Sequence, residues 1–369
     1  MKRRMREKYS GPVFDEQTFQ GIWNTNPTLN REMLEAACSP GVPKSALVDC
    51  LGLHTRDHLK DLANDFLLSI PSAAKKSTIV EQLAGKLSKD FSMLLPYLPV
   101  RNLDFLGRVK GSGQLSIRKE ELRYQDISHT QNYGFLFLFN TGTTFTAVIP
   151  TELLSSLRGV DTAVVRTNAE LHQRLNAYAV SLSNLYGVLD IDQFATIWNR
   201  FEAEVITPAE VGDELAMLSR VQYYYWYEDE LIISSYFMTA QEVMVFLATV
   251  KEIPYYKPSQ EEIVTYFQSS YDDRSPAANA MLEFLARYKL NKGEDLEDLM
   301  AEISDVCVAE EDMQEVLDLL DEYGLLFKGL DELTHFTQLF NELSNHSRKW
   351  TLRGHTPLAI DNQKMKRQD

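Results

Sequence analysis

Apolar residues recur at helical spacing along most of this chain and alternate only in short stretches. Leu59, Leu62, Ala63 and Phe66 share one helical face, and Ile79, Val80 and Leu83 form a second. Ser69-Ile-Pro-Ser72 separates them, because Pro71 has no N–H to continue a helix and Ser72 can cap the next one. The lysine pair Lys75 and Lys76 then stands at the start of that second helix. Residues 41–90 are therefore expected to hold a helix, a short extension and another helix, introduced by Pro40-Gly41-Val42-Pro43.

The same reading divides the rest. Residues 1–40, with Phe14, Phe19 and Trp23 among Pro, Asn and Gly, are expected to be an irregular arm with one helix near Asn30–Ala37. In 91–160, helices over Ser88–Tyr97 and Leu103–Val109 precede a linker at Gly111-Ser-Gly113 and a hairpin. Its strands are Phe135–Phe139 and Thr144–Ile149, turned by Asn140-Thr-Gly142 and expected to be a half-buried sheet edge. Residues 165–238 predict helices at Leu171–Tyr186, at Ile191–Phe201 capped by Asp190, and at Pro208–Ser219 with Thr207 as cap and Pro208 at the first position. Strands Val221–Tyr227 and Leu231–Phe237 follow around Glu228-Asp-Glu230. Helices followed by a hairpin is the order of a winged helix, and two such units, their hairpins about 90 residues apart, suggest a duplication. Residues 239–360 read as helical, with Ala240–Val250, Gln260–Gln268 and Pro276–Lys289 before an acidic stretch, and 361–369 as a basic tail. The fold class expected is mainly α (α+β).

Charge changes this picture in one region. The net charge of −16 is concentrated between Glu294 and Glu332, where 15 acids face one base, Lys328; the rest is nearly neutral. The stripes Leu296, Leu299, Ile303, Val306 and Met313, Val316, Leu317, Leu320 predict two helices there with acidic outer faces. Those faces are either solvated or a docking surface for a basic protein partner. Both chain ends are basic: Lys2, Arg3, Arg4, Arg6 and Lys8 at one, Arg348, Lys349, Arg353, Lys364, Lys366 and Arg367 at the other. Three scattered cysteines, Cys38, Cys50 and Cys307, form no disulfide or zinc pattern. No apolar run reaches about 18 residues, so no membrane contact and a cytoplasmic location are expected.

Two segments carry a family resemblance. Leu53–Leu83, about 30 of the 369 residues, resembles the helix-extension-helix domain at the N-terminus of the Rho termination factor and, more loosely, the SAP module. Both are small nucleic-acid-binding units. The resemblance implies DNA or RNA as a partner, bound through Arg56, Lys60, Lys75 and Lys76 as phosphate contacts that do not read sequence. Asn345, Arg348, Trp350, Arg353, Gly354, His355, Thr356 and Pro357 fit a signature resembling Asn-Asn-Thr-Arg-x-Trp-x-x-x-Gly-His-Thr-Pro, of uncharacterised, chiefly Gram-positive bacterial proteins associated with the SEC-C motif. Pro254-Tyr-Tyr-Lys-Pro-Ser259 resembles another segment of those proteins. Many of them end in a metal-binding cysteine tail, whereas this sequence stops at DNQKMKRQD, so the resemblance supplies no metal ligands.

The terminal motif has two readings. Arg348, Trp350, Arg353 and His355 can place an anion or a partner against an aromatic wall. Alternatively Trp350 anchors the last helix, Gly354 ends it and Pro357 prevents its continuation. The helix PAEVGDELAMLSR carries three carboxylates with Arg220 only at its end, a poor surface for phosphate. The Tyr223–Tyr227 cluster divides between core and sheet surface, with base stacking as the functional alternative. No nucleophile elbow, phosphate loop, zinc-protease or dinucleotide motif is present. A non-enzymatic protein without cofactor is expected, one that binds nucleic acid weakly or adapts a protein partner.

Overall fold

The computed structural model describes residues 4–5, 13–14, 19, 27–220, 222, 224–310 and 312–365. Lys2, Arg3, Arg6, Lys8, Trp23, Tyr223, Lys366 and Arg367 lie outside the described residues. The chain is mainly helical with small antiparallel sheets, and it divides into two compact units, residues 19–175 and residues 1–18 with 176–369.

Unit 19–175 begins with α1 (Pro27–Ala36) and α2 (Leu47–Leu51). Then α3 (Arg56–Asp65) starts on Thr55, whose hydroxyl accepts the His58 N–H at 3.2 Å. After the extension, α4 runs from Lys76 to Leu94. The expected faces pack as read: Leu59, Leu62, Ala63, Phe66, Ile79, Val80 and Leu83 are all buried. Ser72 is not the cap; the cap position is Lys75, which offers no acceptor, and the Ser72 carbonyl receives Arg56 instead. The separate helix expected at Ser88 is the continuation of α4, because nothing before Pro96 interrupts the ladder, and Leu95–Tyr97 closes it as a 3-10 turn.

Further on, α5 (Val100–Val109) leads into β2 (Gln114–Arg118), α6 (Ser128–Asn132), β3 (Phe137–Asn140), β4 (Thr144–Val148) and α7 (Thr151–Arg158). The strand β2 was unexpected: Gly111-Ser-Gly113 is no linker but the turn into it, with the Gly113 carbonyl accepting the Ile149 N–H at 2.9 Å. The sheet order is β2-β4-β3. Nor is the hairpin half-buried, since Phe137, Leu138 and Phe139 are buried on both faces and the Ser39 N–H pairs the outer edge of β3 at the Leu138 carbonyl, 2.7 Å away. One apolar core runs from Leu34 to Leu157.

The long helix α8 (Thr162–Tyr186) contains the boundary between the units. In the second unit, β5 (Val188–Asp190), also unexpected, is followed by α9 (Ile191–Phe201), β6 (Glu204–Val205), α10 (Pro208–Leu218), β7 (Tyr225–Glu228) and β8 (Leu231–Ser234). Asp190 and Thr207 cap as expected, the latter in a reciprocal capping box with Glu210. The sheet order β5-β8-β7 repeats the first-third-second pattern of the other sheet. The expected arm contributes β1 (Arg4–Met5), paired with β6, and buries Phe14. Glu202, itself 1% exposed, accepts the Val13 N–H and the Tyr178 hydroxyl at 3.1 Å each.

The remaining helices are α11 (Ala240–Val250), α12 (Gln260–Gln268), α13 (Pro276–Leu285), α14 (Leu296–Ala309), α15 (Met313–Glu322), α16 (Leu330–His346) and α17 (Pro357–Met365). Pro357 opens a helix rather than stopping one, with the Thr356 hydroxyl accepting the Ala359 N–H. Gly354 ends no helix either: α16 stops at His346, and Gly354 turns the chain at φ +81°. Among the described residues no helix is long and apolar enough to cross a membrane.

Candidate functional site

Of the four predicted phosphate contacts, Arg56, Lys75 and Lys76 stand at the extension between α3 and α4, and Lys60 lies one turn after Arg56 on α3. Arg56 Nε donates to the Ala74 carbonyl at 3.2 Å and its Nη2 to the Ser72 carbonyl, holding the extension against α3. Lys76 Nζ donates to the Gly52 carbonyl at 2.7 Å. Lys60 and Lys75 make no such internal bond, and Arg56, Lys75 and Lys76 remain exposed. Helical geometry sorts the charges of α3: Arg56 and Lys60 share one stripe, while Asp57, Asp61 and Asp65 share the next.

The start of α4 differs from the other long helix starts that are described. It has neither a side-chain cap nor an acidic residue in its first turn, and the N–H groups of Lys76, Ser77 and Thr78 meet no acceptor among the described residues. Elsewhere Thr55, Asp161, Asp190, Thr207, Thr239, Ser259, Ser275, Asp295 and Asp312 cap the helix start, Gln173 accepts from Val100 at α5, and Asp331 and Glu332 occupy the first turn of α16. The positive end of a 19-residue helix thus faces outward with Lys75, Lys76 and the exposed Ser77 and Thr78 beside it.

His54 adjoins this turn. Its ring stacks on His58 at 4.4 Å and lies 5.7 Å from Phe137. Burial, then the neighbouring His58 and Lys76, bring its pKa down to about 4. His54 is therefore neutral in the fold, whereas in the unfolded chain it takes a proton near the ordinary 6.5. Its contribution to stability is complete above pH 6.5 and is lost as pH falls towards 4, by at most about 3 kcal/mol. In urea melts, His54→Gln is expected to flatten the stability decline of the wild type over that interval; an unchanged decline would show that His54 does not titrate there.

The segments 254–259 and 345–357, distant in sequence, meet in the second unit. Arg348 lies over the Tyr256 ring, 3.5 Å from guanidinium carbon to centroid, donates to the Gly354 carbonyl at 2.8 Å, and pairs with Glu262. The Tyr256 hydroxyl donates to the same carboxylate at 3.0 Å. Beside it, Arg353 lies 4.0 Å over the Tyr255 ring, and the Tyr255 hydroxyl donates to Asp190 at 3.1 Å. Two arginine–tyrosine–carboxylate stacks therefore stand side by side, charge-balanced. His355 Nε2 lies 3.2 Å from the Pro254 carbonyl. Burial opposes ionisation of Glu262, but the Ser259 N–H and the Arg348 guanidinium outweigh it and hold the carboxyl below its usual range.

Trp350 is the anchor of this clasp. It is 8% exposed, its Nε1 donates to the Asn184 carbonyl at 2.8 Å, and its ring packs on Tyr236 and Phe237. Gly187, at φ +70°, lies directly beneath: a Cβ there would come within 2.7 Å of Trp350 Cδ2. Lys349, read from sequence as part of a basic end, is 2% exposed instead. Its Nζ donates to the Ser344 hydroxyl at 2.8 Å and to the Cys307 carbonyl, in the last turn of α14, where the helix dipole favours a cation. Gly187 and Glu262 were not singled out from sequence. The spacing Ser259-x-x-Glu262 is that of a capping box, which the structure forms, but it gives no sign that the carboxylate also takes Arg348.

The acidic block places Glu294, Glu297, Asp298, Glu315, Asp318, Asp321, Glu322 and Asp331 at the surface, none paired with a described Lys or Arg. Asp295 and Asp312 instead cap α14 and α15. Among the described residues, no three His, Cys, Asp or Glu side chains form a group that could hold a metal. Set against family models, curated proteins and solved structures, the chain matches none.

Proposed function

We propose that this protein binds the phosphate backbone of DNA or RNA, without reading sequence, at the first turn of α4, and that it is not an enzyme. The observation carrying this reading is the uncapped, acid-free helix start flanked by Lys75 and Lys76. Lys60 and Arg56 extend the cationic surface along α3, and the module resembles the Rho N-terminal and SAP units. Charge distribution favours approach to this unit: residues 19–175 carry 17 Lys and Arg against 15 Asp and Glu, a net +2, leaving −18 of the total −16 on the other unit.

The order β5, α9, β6, α10, β7, β8 and the sheet order β5-β8-β7 support reading this part of the second unit as winged-helix-like. Its α10 carries Glu210, Asp213 and Glu214, and its hairpin tip is Glu228-Asp-Glu230. Both surfaces repel phosphate, so this unit serves as a structural or protein-contacting element. A second reading, docking of a basic protein on α14 and α15, is favoured by Glu297, Asp298, Glu315, Asp318, Asp321 and Glu322, which are exposed and paired with no described Lys or Arg.

The test is fluorescence anisotropy with a labelled single-stranded oligonucleotide and its duplex at 50 mM salt. The Lys60→Glu/Lys75→Glu variant avoids the cations that bond internally, so its melting temperature is expected to stay unchanged. Its affinity is expected to fall at least about tenfold, as two phosphate contacts become repulsive. Equal binding by wild type and variant would refute the site.

A further inference from the structure

An aromatic stack runs from the core of the first unit to the surface beside α4. Phe137, 1% exposed, is its inner member. The half-buried His54 ring lies 5.7 Å from it and stacks on the exposed His58 ring, with centroids 4.4 Å apart and planes 21° apart. The backbone of His58 is fixed too, since its N–H is taken by the Thr55 hydroxyl that starts α3. Beyond His54, its ring meets no other aromatic ring among the described residues, and neither ring nitrogen is hydrogen-bonded to one of them.

Charge is divided about this ring. Lys76 Nζ is held on the Gly52 carbonyl at 2.7 Å, two residues before His54, so the start of α4 adjoins the stack. Asp61 and Asp65 stand one and two turns further along α3. A polyanion over His58 therefore places its phosphate toward Lys76 and away from these carboxylates.

We propose that His58 stacks a base of single-stranded nucleic acid whose backbone phosphate lies at the first turn of α4. Stacking rests on the phosphate binding proposed for α4 and decides which form of nucleic acid the site takes. A duplex keeps its base faces stacked and paired, so only an unpaired strand presents one to an imidazole. Every base has such a face, so the contact adds affinity without reading sequence. His54 and Phe137 hold the imidazole before the strand arrives, and little side-chain freedom is lost on binding.

Fluorescence anisotropy of the full chain at 50 mM salt, with three labelled DNA probes of equal length, separates the two contacts. The probes are a single strand, a strand built from abasic sites, and the duplex. The single strand is expected to bind at least about fivefold more tightly than the abasic one, from one stacked base. His58→Ala is expected to remove that advantage and to leave the abasic and duplex affinities and the melting curve unchanged, because the side chain is exposed. His58→Trp, with a larger ring, is expected to restore it. Equal binding of the single strand and the abasic strand by the wild type overturns stacking and leaves phosphate binding standing, as does a preference that His58→Ala retains. No binding of any probe overturns both.

Discussion

Trp350→Ala is expected to cost about 3–5 kcal/mol, the range for emptying a large buried aromatic site. The ring fills the space above Gly187, stacks with Phe237 at 5.6 Å, meets Tyr236 edge-on at 5.2 Å, and gives its N–H to the Asn184 carbonyl. The truncation leaves that carbonyl without its donor and a cavity that Gly187, having no side chain, cannot fill. In a unit of this size the loss corresponds to a fall in melting temperature of about 10 °C, measurable by calorimetry. Gly187→Ala attacks the same contact from below, by crowding and by strain at φ +70°. A shift of a degree or two for Trp350→Ala would mean that the indole is not an anchor.

Arg348→Ala is the second large effect, at about 2–4 kcal/mol. The guanidinium and the Glu262 carboxylate are 16% and 26% exposed, so removing the cation strands a half-buried anion. The Tyr256 stack and the bond to the Gly354 carbonyl are lost as well. The pH dependence separates these parts. Glu262 is held below its usual pKa of 4.5, so its contribution is present above that value and fades as pH falls through the lower folded value. The gap between wild type and Arg348→Ala in urea melts is therefore expected to be widest at pH 7 and to narrow in acid. Arg348→Lys is expected to rescue little, since an ammonium cannot both lie flat on Tyr256 and fork to two acceptors. A gap independent of pH would contradict the pairing.

How much of this was legible in the sequence depends on how far apart the cooperating residues lie. Asp190, Thr207-Pro208 and the stripe Leu59, Leu62, Ala63, Phe66 mark helices because cap and stripe act within one or two turns. The three-residue β5 and the five-residue β2 escaped for the opposite reason. Strands this short show too few alternations to count, and each is held by a partner 26 or more residues away. The clasp was half visible: both its segments stood out by their resemblance to other sequences, but that Arg348 lies on Tyr256 and shares Glu262 with it follows only from the fold. Lys349 shows the same limit in reverse, since a lysine in a basic run gives no sign that it is buried on the last turn of a helix.

The proposed phosphate site also changed in kind. Arg56 and Lys76 looked like free contacts and are partly engaged in holding the extension, while the uncapped start of α4 adds backbone donors that no residue pattern announced. Its direct test is the salt dependence of oligonucleotide binding by the full chain between 50 and 200 mM. Four cationic contacts predict a log–log slope of about −3 to −4. No binding at 50 mM, or an affinity indifferent to salt, would contradict phosphate recognition at this helix start.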